Sequence, residues 1–225
     1  MTISTQTLVK NGQPFIGRVL QQVAPFVDTC KVTLSTHSDQ KTVDDVIALA
    51  RVYPEKFTIF FENVDTPGEL TQQRQRMIDN TEEDWILFLD DDDWWPEESL
   101  KEMIKLLEKN EDVDAYSVNP FQLLTSFNHD WKWRHRSFTK WFRNVDINYR
   151  KPWPRDLIYK GDTLLYWRKN PRVPRVETKF FHLSALKKWT FRGEEWASKF
   201  KMTVPDQKEL PINFQDEARK IYACA

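Results

Sequence analysis

Apolar and polar positions along the first half of the chain follow two alternating periods. Short apolar runs that predict strands occur at residues 3–9, 31–34, 57–61, 85–89 and 113–118. Between these runs, apolar residues at helical spacing predict helices over residues 14–24, 43–53, 69–80 and 96–109. Strands that alternate with helices at this spacing favour an α/β fold with a mostly parallel sheet and helices on both faces.

The predicted strand at residues 85–89 leads directly into a cluster of ionisable side chains. Its five apolar residues run without a break into Asp90, Asp91, Asp92 and Asp93. A continuous apolar run predicts a buried strand of a parallel sheet, and open α/β sheets bind ligands at the carboxyl ends of such strands. Because four adjacent carboxylates repel one another and hard divalent ions prefer oxygen ligands, the cluster predicts a metal site.

If the strand continues through the acidic residues, their side chains alternate between its two faces. Asp90 and Asp92 then point to one side, where they can address one metal ion bound to phosphate oxygens. The alternative is a solvated acidic loop that caps the next helix, because Asp92 or Asp93 precedes Pro96 and carboxylates are favoured at a helix start. Capping needs one carboxylate rather than four, which favours the metal site.

The second half of the chain has weaker patterns and is rich in Trp, Arg and Pro. Its clearest elements are predicted strands at residues 163–167 and 179–183 and predicted helices at residues 185–201 and 214–222. A length of 225 residues fits one large domain or one domain with a substantial appendage. We expect residues 1–120 to form an α/β half, and residues 121–225 a basic, Trp-rich half of the same domain.

The charge of the chain is unevenly distributed although the net charge is only −1. Residues 131–200 hold 18 Lys and Arg against 6 Asp and Glu, a net charge of about +12, together with seven of the ten Trp. Such a segment is consistent with Arg side chains that simply stack on Trp faces. It equally suits a nucleic-acid groove, a phosphorylated saccharide or an anionic membrane surface.

Cysteine content and hydropathy indicate in which cellular compartment the protein is expected. Only Cys30 and Cys224 are present, far apart, which predicts a reducing compartment without a disulfide framework. No apolar run approaches the roughly 18–20 residues of a membrane span. Residues 1–10 lack a charged start followed by an apolar stretch, so no signal peptide is expected. We therefore expect a cytoplasmic protein.

Four stretches carry a resemblance to a known family. Residues 7–18 are predicted to form a strand, a Lys-Asn turn and a helix. Residues 36–42 are predicted to form a polar loop, in which His37 stands where the family usually has Gly. Residues 70–78 have Arg74 in a helix, and residues 85–96 end a strand in Asp-x-Asp. In this order, over more than half of the chain, the stretches resemble family-2 glycosyltransferases of the GT-A fold, which is Rossmann-like.

The resemblance implies transfer of a sugar from a nucleoside-diphosphate sugar to an acceptor hydroxyl, with inversion, aided by Mn²⁺ or Mg²⁺. The first half would bind the nucleotide sugar and the second half the acceptor. The implied metal residues are Asp90, Asp92 and His182, with Asp92 as direct ligand and Asp90 near the ribose or a metal-bound water. The implied nucleotide-sugar residues are Asn11, Asp39, Arg74, Asp90 and Asp91.

Several of these residues have a structural alternative. Asp39 is also consistent with a turn residue, since Asp is common in turns. Arg74 would either reach a phosphate, stabilise the acidic cluster or lie solvated on its helix. His182 follows two Phe on a strand-like piece and would be either a ligand or a core residue.

Inversion needs a general base that accepts the proton of the acceptor hydroxyl. Four carboxylates of the second half are candidates: Asp146, Asp156, Asp162 and Glu177. Asp162 and Glu177 are preferred because each lies beside a strand-like piece.

The acceptor itself is expected to be a polyanion, on account of the basic segment. Its candidate contacts are Trp131, Trp133, Arg134, Arg136 and Lys140. DNA with a hydroxylated base, as modified by virus-encoded enzymes in an infected cell, is one expectation, and a surface saccharide is the other. Two further functions compete with sugar transfer: a metal-dependent nuclease or phosphohydrolase, and a non-catalytic nucleic-acid-binding module.

Overall fold

A computed structural model of the chain describes residues 1–110, 112–122, 129–131, 138–151, 157–165, 170–183, 207–210 and 212–223. The helices of these segments are α1 (Ile16–Val23), α2 (Gln40–Val52), α3 (Pro67–Asp79), α4 (Glu97–Lys109) and α5 (Ile212–Tyr222), with a 3-10 turn at Ala24–Phe26. The four helices predicted in the first half and the helix predicted at residues 214–222 are therefore confirmed. The helix predicted at residues 185–201 lies outside the described residues.

The strands of the first half occur where the apolar runs predict them. They are β1 (Ile3–Val9), β2 (Thr29–Ser35), β3 (Phe57–Glu62), β4 (Trp85–Phe88), β5 (Asp93–Trp94) and β6 (Ala115–Gln122). Those of the second half are β7 (His129–Trp131), β8 (Phe138–Arg143), β9 (Ile147–Lys151), β10 (Leu157–Lys160), β11 (Thr163–Leu164), β12 (Arg175–His182) and β13 (Gln207–Glu209). The short strand β5 was not predicted.

One sheet of eight strands organises the described chain, in the order β3-β2-β1-β4-β8-β6-β12-β5. The first four strands are mutually parallel, and β6 pairs parallel with β12. Strand β8 is antiparallel to both of its neighbours, and β5 is antiparallel to β12. The predicted α/β fold with a mostly parallel sheet is confirmed. Because β8 and β12 come from the second half of the sequence, both halves build the same sheet.

The continuous apolar run of β4 is explained by hydrophobic clusters on both sides of the sheet. Trp85 and Leu87 belong to the larger cluster, which includes the buried residues of α1 and α4. Ile86 and Phe88 belong to the second cluster, which also contains Tyr149 of β9. A strand that is covered on both faces has no polar face, so its sequence does not alternate.

The opposite, amino-terminal end of the sheet holds a partly buried ion pair. Lys31 of β2 lies with its Nζ 3.0 Å from Oε2 of Glu83, and the two side chains are 9% and 12% exposed. Glu83 also accepts a hydrogen bond from the hydroxyl of Thr29 at 2.6 Å. Glu83 lies just before β4 begins, whereas the acidic cluster follows the end of the same strand.

None of the helices that the structure describes combines the length and the apolar character needed to cross a bilayer. The thiol of Cys30 is buried in the sheet and forms no disulfide. Burial raises the pKa of this thiol to about 11, which leaves it un-ionised and poorly reactive at neutral pH.

Candidate active site at the carboxyl ends of the strands

The four consecutive aspartates form a turn rather than the end of a strand. Strand β4 ends at Phe88, and the backbone N–H of Asp93 donates to the carbonyl of Asp90 at 3.0 Å. The predicted alternation of Asp90 and Asp92 on one strand face is therefore wrong. In this turn the four carboxylates reach different partners, which reduces their mutual repulsion.

Two Trp side chains anchor the chain that leaves this turn. Trp95 is fully buried, stacked on Phe180 with ring centroids 4.8 Å apart and edge-on to Trp141 at 5.7 Å. The indole N–H of Trp94 donates to Oε1 of Glu217 in α5 at 2.6 Å. Burial of Trp95 therefore fixes the acidic turn against the core, and the hydrogen bond of Trp94 fixes it against α5.

Strand β5 pairs with the end of β12 and brings His182 to the turn. In this antiparallel pair Asp93 is opposite His182, and the N–H of Leu183 donates to the carbonyl of Asp92 at 2.8 Å. The Nδ1 atom of His182 lies 2.8 Å from Oδ1 of Asp93 and 3.6 Å from Oδ1 of Asp92. Burial alone would lower the pKa of His182, but the charge of Asp92 and the hydrogen bond with Asp93 outweigh it and raise the pKa to about 9.

Lys140 of β8 lies under the acidic turn. Its ammonium is 2.5 Å from Oδ2 of Asp90 and 2.5 Å from Oδ2 of Asp93, and its side chain is only 7% exposed. Burial would lower the pKa of Lys140, but the two carboxylates outweigh it and hold the pKa above its usual value. The residue was predicted to bind the acceptor, whereas its charged end is occupied inside the site.

Arg74 of α3 holds the other oxygen of Asp90. Its Nη2 donates to Oδ1 of Asp90 at 2.8 Å, and its guanidinium stacks over the Phe88 ring at 4.9 Å. Burial would raise the pKa of Asp90, but Lys140 and Arg74 outweigh it and keep the pKa well below its usual value. Of the alternatives for Arg74, stabilisation of the acidic cluster is the one that these contacts show.

A group of possible metal ligands results from this arrangement. One donor atom each of Asp92, Asp93 and His182 lies within 4.8 Å of the others. Two carboxylates and an imidazole are a donor set that suits Mn²⁺ and, through its oxygens, Mg²⁺, so the residues fit a divalent ion. Asp92 and His182 were both predicted as ligands, and Asp93 joins them where the sequence predicted Asp90.

Two predicted nucleotide-binding residues meet at the ends of the neighbouring strands β1 and β2. The side chain of Asn11 accepts a hydrogen bond from the N–H of Asp39 at 3.1 Å. Asp39 caps α2, since its carboxylate accepts from the N–H and the hydroxyl of Thr42, each at 2.8 Å. Gly12 is required beside Asn11, because a Cβ there would lie 2.6 Å from that of Ile16. The loops thus form one linked rim next to the acidic turn.

This rim also has ionisable residues that were not predicted as site residues. His37 and Lys10 each approach a carboxylate oxygen of Asp65 at 2.6 Å. The hydrogen bonds from Lys10 and His37 keep the pKa of Asp65 below its usual value. Asp65 follows β3, so the loops after three parallel strands contribute to the rim. The sequence signal that could have identified these residues is their position after a predicted strand, because ligands bind at the carboxyl ends of parallel strands.

The two preferred general bases lie away from the acidic turn. Asp162 is 98% exposed in the turn between β10 and β11 and pairs with Arg150 at 2.9 Å. Glu177 is 87% exposed on β12, five residues before His182, which is about 16 Å along an extended strand. Asp146 is exposed in the turn between β8 and β9, and Asp156 lies outside the described residues. Within the described residues, then, neither preferred carboxylate contacts the candidate metal group.

The proposed acceptor segment is only partly described. The side chain of Trp131 and the whole of Trp133, Arg134 and Arg136 lie outside the described residues. Several basic side chains of the described part are engaged within the protein: besides Lys140 and Arg150, Lys160 and Arg172 both pair with Asp114.

The family model described as glycosyl transferase family 2 matches residues 33–170, which is more than half of the chain. The chain belongs to glycosyltransferase family 2. The predicted resemblance is confirmed, and the family match includes Asp39, Arg74 and the acidic turn. His182 lies beyond the matched residues, so its place at the site follows from the β5–β12 pairing alone.

Solved structures similar to this family-2 chain include TarS and a mannosyltransferase. S. aureus TarS 1-349 is 19% identical, with a TM-score of 0.48 over 67% of this chain and 50% of that one. TarS 1-349 in complex with UDP gives 18% identity with the same TM-score and coverage. The mannosyltransferase PcManGT from Pyrobaculum calidifontis, in complex with GDP-Man and Mn²⁺, is 18% identical, with a TM-score of 0.41 over 52% of this chain and 35% of that one.

The chain spans half of the length of TarS 1-349. A search of the curated proteins finds no significant match.

Proposed function

We propose that the protein is a metal-dependent glycosyltransferase that moves a sugar from a nucleoside-diphosphate sugar to an acceptor hydroxyl with inversion. The observation that carries the proposal is the Asp92–Asp93–His182 group at the carboxyl end of β4, within a family-2 chain. The nuclease and the binding-module alternatives lack a comparable observation, since family 2 transfers glycosyl groups.

Asp92 and His182 would hold the metal ion. With Mn²⁺ or Mg²⁺ held there, the site would supply the positive charge that stabilises a leaving nucleoside diphosphate. The proposed site is preorganised, because Trp94 and Trp95 hold the turn in place and Asp93 holds His182. Preorganised groups stabilise developing charge without the cost of reorganising during the reaction.

The nucleotide would lie along the ends of β2, β1 and β4. Asn11 and Asp39 form the rim on one side of this crevice, and Arg74 lies on the helix that follows β3. Asp90 connects the two regions, because it is bound by Arg74 and lies in the acidic turn. Asp91, at the outer corner of the turn, is proposed as a further nucleotide-sugar contact.

The acceptor would approach from the side of the second half of the chain. An inverting transfer requires a carboxylate within hydrogen-bond reach of the acceptor hydroxyl. Asp162 and Glu177 remain the proposed bases, although neither contacts the candidate metal group within the described residues. The net charge of about +12 over residues 131–200 supports a polyanionic acceptor, with DNA and a phosphorylated or surface saccharide as the two candidate classes.

A thermal-shift screen tests the proposed function. The protein is heated with UDP-, GDP- and CDP-sugars, each with Mn²⁺ and with EDTA. We expect at least one nucleotide sugar to raise the melting temperature in Mn²⁺ and not in EDTA, since a ligand that binds only the native state stabilises it. Stabilisation by DNA alone, with no response to any nucleotide sugar, would contradict the proposal and favour a nucleic-acid-binding module.

A further inference from the structure

Lys140 contributes a positive charge to the interior of the candidate metal site. A Lys is almost never buried unless it is paired, and here its side chain is 7% exposed between two carboxylates. The residue comes from β8, which lies between β4 and β6 in the sheet. Its position is therefore set by the sheet and not by the acidic turn itself.

The oxygens of Asp90 and Asp93 are all engaged by nitrogen atoms. Oδ2 of Asp93 faces Lys140 and accepts from the N–H of Asp90 at 3.2 Å, while its Oδ1 faces His182 at 2.8 Å. Oδ1 of Asp90 accepts from Arg74, and its Oδ2 faces Lys140. These two carboxylates are thus neutralised by the protein's own cations.

The distances also limit how far apart the two oxygens that Lys140 contacts can lie. Each carboxylate oxygen is 2.5 Å from the ammonium, so the two oxygens are at most about 5 Å apart. A divalent ion that bridges two oxygens at about 2.1 Å each spans about 4.2 Å. The two oxygens are therefore close enough for one cation to contact both, and in this structure the ammonium of Lys140 is that cation.

We propose that Lys140 is a positioning residue that confines the metal ion to Asp92 and His182 by filling the cation place between Asp90 and Asp93. This inference rests on the proposed metal-dependent function. Asp93, held by Lys140, contacts Nδ1 of His182 and so fixes the orientation of the imidazole, as carboxylates do for metal-bound histidines. Lys140 thereby decides which members of the acidic turn bind metal.

Mn²⁺ titration of the full chain, by electron paramagnetic resonance with and without UDP, tests the proposal. Lys140→Ala opens the place between Asp90 and Asp93, and we expect it to bind one additional Mn²⁺ or to bind Mn²⁺ at least about tenfold more tightly than the wild type, because a like charge is removed. Lys140→Arg restores the positive charge and should return the wild-type titration.

Lys31→Ala is the matched control. It breaks an ion pair of similar burial at the opposite end of the sheet, so it should lower the melting temperature without changing Mn²⁺ binding. A wild-type titration for Lys140→Ala, both with and without UDP, would overturn the proposal, because a merely structural Lys140 would affect stability alone.

If Lys140→Ala does not fold, a second pair of variants tests which aspartate binds Mn²⁺. Asp90→Asn should keep the Mn²⁺ affinity within about twofold of the wild type, whereas Asp92→Asn should lose it by about tenfold or more. A tenfold loss for Asp90→Asn would overturn the proposal. Neither titration requires sugar transfer, so a protein that partitions Mn²⁺ as described but transfers no sugar would contradict only the proposed function.

Discussion

Lys140 and Asp93 form a buried ion pair, with Nζ 2.5 Å from Oδ2, that joins the interior strand β8 to the acidic turn. Asp93 is completely inaccessible to solvent. The pair holds together segments 47 positions apart in the sequence, and it keeps His182 in register because Asp93 also contacts that imidazole.

The Lys140–Asp93 pair should show strong coupling in a double-mutant cycle. Lys140→Met and Asp93→Asn each remove one charge from this buried network and leave the remaining charges less well compensated, so each is expected to lower the free energy of unfolding by about 3 kcal/mol. The double variant should cost at least about 1 kcal/mol less than the sum, because it removes both charges. Urea denaturation measures the free energy of unfolding of the wild type, both single variants and the double variant. If the two single effects add within about 0.5 kcal/mol, the pair is uncoupled.

Asp92→Ala should remove metal-dependent sugar transfer without unfolding the protein. We expect a loss of about 100-fold or more, corresponding to about 2.7 kcal/mol of transition-state stabilisation. Stability without metal should change little, because the loss of repulsion among the neighbouring carboxylates offsets the loss of the contact with His182. Asp44→Ala, at an exposed position of α2, is the control and should retain activity. Full turnover by Asp92→Ala would show that the metal ligand has been misassigned.

His182→Ala separates a ligand from a core residue. If His182 binds the ion, the Mn²⁺ concentration for half-maximal activity should rise about tenfold or more, with a smaller effect on melting temperature. His37→Ala, which changes an exposed imidazole paired with Asp65, should leave the Mn²⁺ dependence unchanged. Poor yield of folded His182→Ala with normal Mn²⁺ dependence would instead identify a packing role.

The Glu83–Lys31 pair should make stability depend on pH in the acid range. Burial raises the pKa of Glu83, but hydrogen bonds from Thr29 and Lys31 outweigh it and lower the pKa below the usual value of 4.5. A folded-state pKa below that of the unfolded chain means that the carboxylate stabilises the native state above about pH 4.5 and loses this contribution as the pH falls through the folded-state pKa.

Glu83→Gln is therefore expected to melt at a lower temperature than the wild type at pH 7, with a difference that narrows toward pH 3. Differential scanning calorimetry across this range measures the trend. Glu108→Gln, on the exposed side of α4, is the control and should follow the wild type. A Glu83→Gln difference that stays constant from pH 7 to pH 3 would rule out the linkage.

Salt dependence tests the polyanionic acceptor. If the segment at residues 131–200 binds DNA through phosphate contacts, affinity should fall steeply between low and physiological salt. Charge reversal of Arg134 and Arg136 should flatten this slope, while reversal of Lys105 and Lys109 on α4 should not. Lys140 is not part of the test because its ammonium is buried. Absence of salt-dependent DNA binding would leave a saccharide as the acceptor.

Local patterns were sufficient for most of the first half of the fold. The strands β1 to β4 and the helices between them follow from apolar periodicity, which is a property of neighbouring residues. The place of the site follows as well, since the carboxyl end of β4 lies at the ligand edge of a parallel sheet. Four family stretches in order were enough to predict the family that the match over residues 33–170 confirms.

The membership of the metal group was decided by contacts between distant segments. In the candidate metal group Asp93 lies beside Asp92 and His182 because the acidic residues turn instead of continuing β4, and His182 reaches them from 89 positions away through the β5–β12 pair. Likewise, the sequence places Lys140 in a basic segment and predicts an exposed acceptor contact. Periodicity in the sequence indicates which face of an element a residue occupies, but not what packs against that face. The ammonium of Lys140 is buried against two carboxylates because β8 inserts between β4 and β6 in the sheet.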